Sequence, residues 1–207
     1  MTEEKNNSVV STSRLEAFSD GVIAIVITLL VLEIKVPVIP PEIVSAELPH
    51  KLLELMPKFL GYLTSFLVVG TYWVAHHNAL SYATQSNRVL VWLNILFLMC
   101  LSFIPFPTGL FSEYPSQSLA SVFYGMTLLI TAIIFNILWW YIAYGGNLVP
   151  ANVNRQVLDK ITRGGLLGLP FYVLAIVFSY VNLAVSVAIY IGLPIFYIFL
   201  NLQWSKN

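Results

Sequence analysis

Six long apolar runs, separated by short clusters of polar residues and prolines, organise this chain of 207 residues. A helix needs about 20 apolar residues to cross bilayer hydrocarbon. The first run covers residues 15–36, and Pro37, Pro40 and Pro41 then forbid helix and open an external loop. The second covers 57–79, with Pro57 suited to a helix start. The third covers 89–110 without an internal charge, between Arg88 and Glu113; Pro105 and Pro107 should kink or unwind its outer end. The fourth covers 117–143 and closes on an aromatic belt of Trp139, Trp140, Tyr141 and Tyr144. From Gly164 to Ser205 there is again no charge, enough for two short spans over 165–181 and 184–203 with a turn at Asn182. The expected fold is an all-α integral membrane protein of six transmembrane helices.

Composition agrees with this class. Hydrophobic residues make up 58% of the chain and charged residues 10%, against about 25% charged in soluble domains. The net charge is zero and the basic residues are scattered, which argues against a nucleic-acid partner. The single cysteine, Cys100, excludes an intrachain disulfide and a cysteine-cluster metal site; it reads as a small apolar filler. No cleavable signal is expected, because the first run continues to Val36 without a small-residue cleavage site.

Basic residues also set the orientation. An internal N-terminus and six spans put Lys5, Arg14, Arg88, Arg155, Lys160, Arg163 and Lys206 inside, and Lys35, Lys51 and Lys58 outside. Seven against three favours both termini in the cytosol. The external segment 37–56 mixes Glu42, Glu47, His50, Lys51 and Glu54 and suits a short amphipathic stretch before the second span. Segment 151–163 reads as a solvated internal connector. No repeat or low-complexity tract divides residues 1–207, so one domain is expected.

The most unusual stretch is Arg14-Leu-Glu-Ala-Phe18-Ser19-Asp20, which puts an ionisable carboxylate at the opening of the first span. A charge there is costly unless it has a partner or a task. Helical residues advance by about 100°, so Ile25, Leu29 and Leu32 align, Val22 and Val36 extend their stripe, and Thr28 lies beside it. Asp20 lies about 140° from Ile25. The acidic side must therefore meet its own subunit, which leaves a purely aliphatic face with one hydroxyl. Taken alone, that face suits lipid contact or ordinary packing.

The second span carries Trp73-Val-Ala-His76-His77-Asn78 near its inner end, at the depth of Asp20. Trp73 and His77 are neighbours at i, i+4. A Ser19/Asp20–His77–Trp73 hydrogen-bonded cluster is geometrically open, with Arg14 or Arg88 as further charge partners and Asn94 at similar depth. Three readings stand: a polar lock fixing helix packing, a proton-sensing or proton-carrying site, and a metal site. Adjacent histidines point about 100° apart and lack the i, i+4 spacing of helical zinc pairs, so no metal is expected. No potassium-filter loop, phosphate loop or nucleophile elbow is present, and no nucleophile or metal triad accompanies the histidines, so no enzyme is expected. Gly164 and Gly168 give only a weak Gly-x-x-x-Gly signal at a helix edge.

Arg14-x-x-x-Phe18-Ser19-Asp20, with the downstream Trp73-x-x-His76-His77, resembles the transmembrane protein 175 family of potassium-permeable cation channels, found in prokaryotes and animal endolysosomes. The resemblance covers the whole chain. It implies the single-repeat prokaryotic type: a homotetramer in the inner membrane, its pore lined by four copies of the first helix. Carried over by distance from Asp20, the constriction falls on Ile25, Leu29 and Leu32, with Thr28 as a hydroxyl layer. Arg14, Phe18, Ser19, Asp20, Trp73 and His77 become the packing network behind it. Potassium is the implied permeant ion, with no cofactor, and lipid is the other partner. Rings of aliphatic side chains gate by dewetting but offer no oxygens to replace hydration, so only modest selectivity is implied. Glu33, near the outer mouth, either concentrates cations or is simply solvated. The alternative function is a proton-coupled transporter or proton leak using Asp20 with His76 and His77.

Overall fold

The computed structural model describes residues 10–204, with side chains to residue 200. Lys5 and Lys206, both used for orientation above, lie outside the described residues. Ser11 caps the first helix, its Oγ accepting from the Arg14 amide. That helix, α1 (Thr12–Leu29), tightens into a 3-10 turn over Leu30–Glu33. It ends earlier than residue 36: residues 34–40 are not helical, because each proline disfavours helix at the residue before it. A 3-10 turn over Pro41–Ile43 then leads to α2 (Val44–Glu54), a short helix where the mixed segment suited an amphipathic stretch. Lys51 Nζ lies 2.9 Å from Glu54 Oε2. This contact holds the Glu54 carboxyl below and the Lys51 ammonium above their ordinary ranges.

Helix α3 (Met56–Ser81) returns across the membrane, and α4 (Arg88–Phe103) starts on an Asn87 cap whose Oδ1 accepts from the Leu90 amide at 2.9 Å. The third span breaks at Ile104, and α5 (Pro105–Glu113) completes it. Pro105 and Pro107 have no amide hydrogen to give, so the α-helical ladder is interrupted where the prolines predict. Helix α6 (Ser118–Trp140) ends in a π turn, Tyr141–Gly145. The fifth span begins well before residue 165. Helix α7 (Arg155–Leu166) runs into α8 (Gly168–Val181). Segment 151–163 is thus mostly helix rather than connector. The physical reason is amphipathicity: Leu158 is buried, Trp139 Nε1 donates to Thr162 Oγ1 at 2.8 Å, and Arg155, Gln156, Lys160 and Arg163 stay exposed. The turn at Asn182 leads to α9 (Leu183–Trp204).

Six helical stretches are long and apolar enough to cross a membrane. Helix α6 is the hub, packing on α4, α5, α7, α8 and α9, while α1 lies against α3 and α4. Polar pins hold the half of the bundle away from the start of α1. Ser121, Ser179 and Ser186, from α6, α8 and α9, bond one another at 2.8–3.1 Å. Ser65 Oγ lies 2.7 Å from Thr108 Oγ1 and 2.9 Å from the Tyr124 hydroxyl, joining α3, α5 and α6. The weak Gly-x-x-x-Gly signal marks a real close approach, since the Tyr197 hydroxyl donates to the Gly164 carbonyl at 3.0 Å and lies over Gly168.

Candidate functional site: the two faces of the leading helix

Leu15, Ser19, Ile23, Val26 and Leu30 form the buried side of the leading helix, a stripe at helical spacing turned toward α3 and α4. Polar contacts fix this side near the start of α1. His76 Nε2 donates to Asn94 Oδ1 at 2.6 Å, Asn94 Nδ2 donates to Ser19 Oγ at 2.9 Å, and Ser19 Oγ–H donates to the Leu15 carbonyl at 2.8 Å. The three side chains are at most 1% exposed. The His76 ring also stacks on Phe97, centroids 5.3 Å apart. Among the described residues no buried side-chain polar atom lacks a partner.

A second, shallower pair of contacts runs along the α1–α3 seam. Trp73 Nε1 donates to Asp20 Oδ1 at 2.8 Å. His77 Nδ1 lies 2.7 Å from Glu16 Oε1. The cluster expected from sequence is therefore divided. Asp20 meets Trp73, but His77 meets Glu16 rather than Ser19 or Asp20, and Ser19 meets Asn94. The reason is that α1 and α3 run antiparallel. Glu16 and Asp20 are one turn apart, as are His77 and Trp73, so Glu16, nearer the start of α1, meets His77, nearer the end of α3, and the residues one turn toward the middle of each helix meet in the same way. Glu16 carries an i, i+4 signal that sequence reading passed over. The buried histidine is His76. Arg14 and Arg88 form no ion pair with a described residue. Phe18 is exposed.

The opposite side of α1 carries Ile25, Thr28, Leu29 and Leu32, all exposed on the single chain, with Ile25 at 60% and Leu32 at 64%. Thr28 Oγ1 donates to the Ala24 and Ile25 carbonyls, at 3.0 and 2.8 Å. No group of three or more His, Cys, Asp or Glu residues able to hold a metal occurs among the described residues. Glu33 does not point along the Leu32 face; its carboxylate is turned onto Gly109 of α5.

Six spanning helices with a leading helix pinned on one side define a multi-pass helical membrane protein. The family model for the endosomal/lysosomal potassium channel TMEM175 matches residues 14–105, and a potassium channel of Chamaesiphon minutus is 40% identical over 190 residues, 90% of this chain and 93% of that relative. The chain belongs to the TMEM175 family, a family of ion channels. The crystal structure of a lysosomal potassium-selective channel TMEM175 homolog from Chamaesiphon minutus matches with a TM-score of 0.80 at 38% identity, covering 91% of this chain and 96% of that one. The human endosomal/lysosomal proton channel TMEM175 is 36% identical over 138 residues, covering 63% of this chain and 27% of its own length.

Proposed function

We propose that this chain forms a homotetrameric, potassium-permeable channel in a prokaryotic inner membrane, with both termini in the cytosol. Four leading helices surround one axis, with Ile25, Leu29 and Leu32 forming an apolar neck and Thr28 a hydroxyl layer. One observation carries the assignment: Asp20 and Ser19 are bonded within their own chain, while the side bearing Ile25, Leu29 and Leu32 is left uncovered. An apolar neck closes by expelling water. Ion selectivity then comes from the cost of partial dehydration.

The test is a planar-bilayer recording in potassium and sodium gradients. Ile25→Asn lets water into the neck and raises conductance several-fold, and Leu29→Asn and Leu32→Asn act in the same direction. Unchanged currents in all three remove the pore assignment.

A second reading, proton passage involving Asp20, His76 and His77, is favoured by the description of the human relative as a proton channel. It requires a proton flux that vanishes in Asp20→Asn while the assembly keeps its melting temperature. If Asp20→Asn instead breaks the assembly, Asp20 is a packing residue.

A further inference from the structure

The outer end of the leading helix is held differently from its inner end. After Asp20 its only hydrogen-bonding side chain is Thr28, which bonds its own backbone, until Glu33 closes the 3-10 turn. Glu33 is half-buried, and its carboxylate rests on Gly109, the residue after Thr108 in α5. A Cβ built on Gly109 would overlap Glu33 Oε2 and come within 2.7 Å of its carboxyl carbon and 3.4 Å of Cγ. Among the described residues, and apart from the adjoining residues and backbone of α5 itself, these three Glu33 atoms are the nearest to that Cβ position. Gly109 is therefore a seat shaped for one side chain.

The seat itself is fixed. Next to it, Thr108 is bonded to Ser65, which is bonded to Tyr124, and Ser112 Oγ donates to the Thr108 carbonyl at 2.7 Å. At the end of the same helix Glu113 Oε2 lies 2.7 Å from Lys58 Nζ. Helix α5 is thus pinned to α3 and α6, and it offers a rigid surface to the end of α1. The Glu33 side chain forms no hydrogen bond or ion pair with another described residue, so shape is what locates it.

We infer that Glu33 and Gly109 form an outer latch, in which Glu33 acts as a positioning residue that fixes the outer end of the leading helix and thereby the spacing of Leu29 and Leu32 in the neck. The latch rests on the pore reading above. Leu32 immediately precedes Glu33, and Leu29 lies about one turn behind it. A shift of the Glu33 side chain therefore moves the last two apolar layers before it reaches Ile25.

A double-mutant cycle tests the latch on the reconstituted assembly, read both as single-channel conductance and as melting temperature in detergent. Gly109→Ala expels the carboxylate, the more yielding partner; it should change conductance by at least about twofold and lower the melting temperature by about 3 °C. In the Glu33→Ala background the added methyl enters vacated space, so Gly109→Ala should leave conductance unchanged and should hold or raise the melting temperature, as alanine does in place of a helical glycine. Glu33→Gln keeps the shape and should behave as the parent at low and high salt.

Equal effects of Gly109→Ala in both backgrounds would overturn the latch. So would a conductance loss in Glu33→Gln matching that of Glu33→Ala and fading in high salt, which would make Glu33 an attractor of cations instead. Coupling in melting temperature without coupling in conductance would also overturn the role in the neck. Ile25→Asn, recorded alongside, then separates the two failures. If it raises conductance, the neck stands and the latch alone falls; if it does nothing, the pore reading has failed.

Discussion

His76 and His77 are neighbours in sequence with different surroundings. His76 is sealed between α3 and α4, its Nε2 proton directed at Asn94, whereas His77 sits at the half-exposed seam beside Glu16. Hydrogen bonds between membrane helices average only about 0.6 kcal/mol, yet a buried donor stripped of its acceptor costs about 1–3 kcal/mol. Asn94→Leu strands His76 Nε2 and should cost about 1–3 kcal/mol. Trp73→Phe removes the indole donor to the Asp20 carboxylate, which is partly open and can be hydrated in its place, and should cost about 0.6–1.7 kcal/mol. Thermal melting of the two variants checks the order; a larger loss for Trp73→Phe would refute it. The sequence placed Asn94 at the right depth and grouped Asp20 and Trp73 in one cluster, but linked them through His77, whereas the structure bonds them directly. It chose His77 for the cluster with Ser19 and Asp20, where the structure buries His76 and sets His77 on Glu16; that choice depends on the rotation of α3 about its axis, which apolar residues all round the helix leave undetermined.

Among the elements, the α8–α9 hairpin shows how small residues govern contact. Gly125 of α6 lies under the Tyr190 ring, and an added Cβ would overlap the Tyr190 hydroxyl and come within 2.8 Å of Ile176 Cγ1 and 3.0 Å of Tyr190 Cζ. Tyr190 cannot retreat freely, because its hydroxyl donates to the Ser121 carbonyl. Gly125→Ala should therefore lose about 1–3 kcal/mol by overpacking. Gly192→Ala, with nothing within 4 Å of its Cβ position, should instead hold or raise stability, by about 0.5–1 kcal/mol from helix propensity. Equal melting of both variants would show that the hairpin is not held against α6 in this way. Spans and proline breaks were legible in the chain because hydropathy and missing amides are local properties. The early start of the fifth span was not. Arg155, Lys160 and Arg163 read as a polar loop until Leu158 and Thr162 are seen on the opposite side, facing α6.

At the scale of the whole molecule, the ends of the six spans fall into two sets: Asn87 meets the Tyr141 hydroxyl at one face, and Lys58 meets Glu113 at the other. The proposed orientation, with both termini in the cytosol, predicts which set is reachable from outside. With Cys100, the sole cysteine, replaced by Ala, Ser116→Cys should label with an impermeant thiol reagent on intact cells, and Asn152→Cys should not. The reverse pattern would invert the orientation. The aliphatic side of α1 was legible from periodicity, but its neighbour was not. Isoleucine and leucine make the same dispersion contacts with lipid as with a copy of themselves, so only the family resemblance pointed to an axis.

Thr28 adds a consequence for charge sign. Its only hydroxyl proton is directed backward at main-chain oxygens. The part of the side chain left to face outward carries lone pairs and no donor. Repeated around the proposed axis, such a layer would welcome cations and offer chloride nothing to bind. Anion rejection would then need no acidic ring, only the direction in which four protons point.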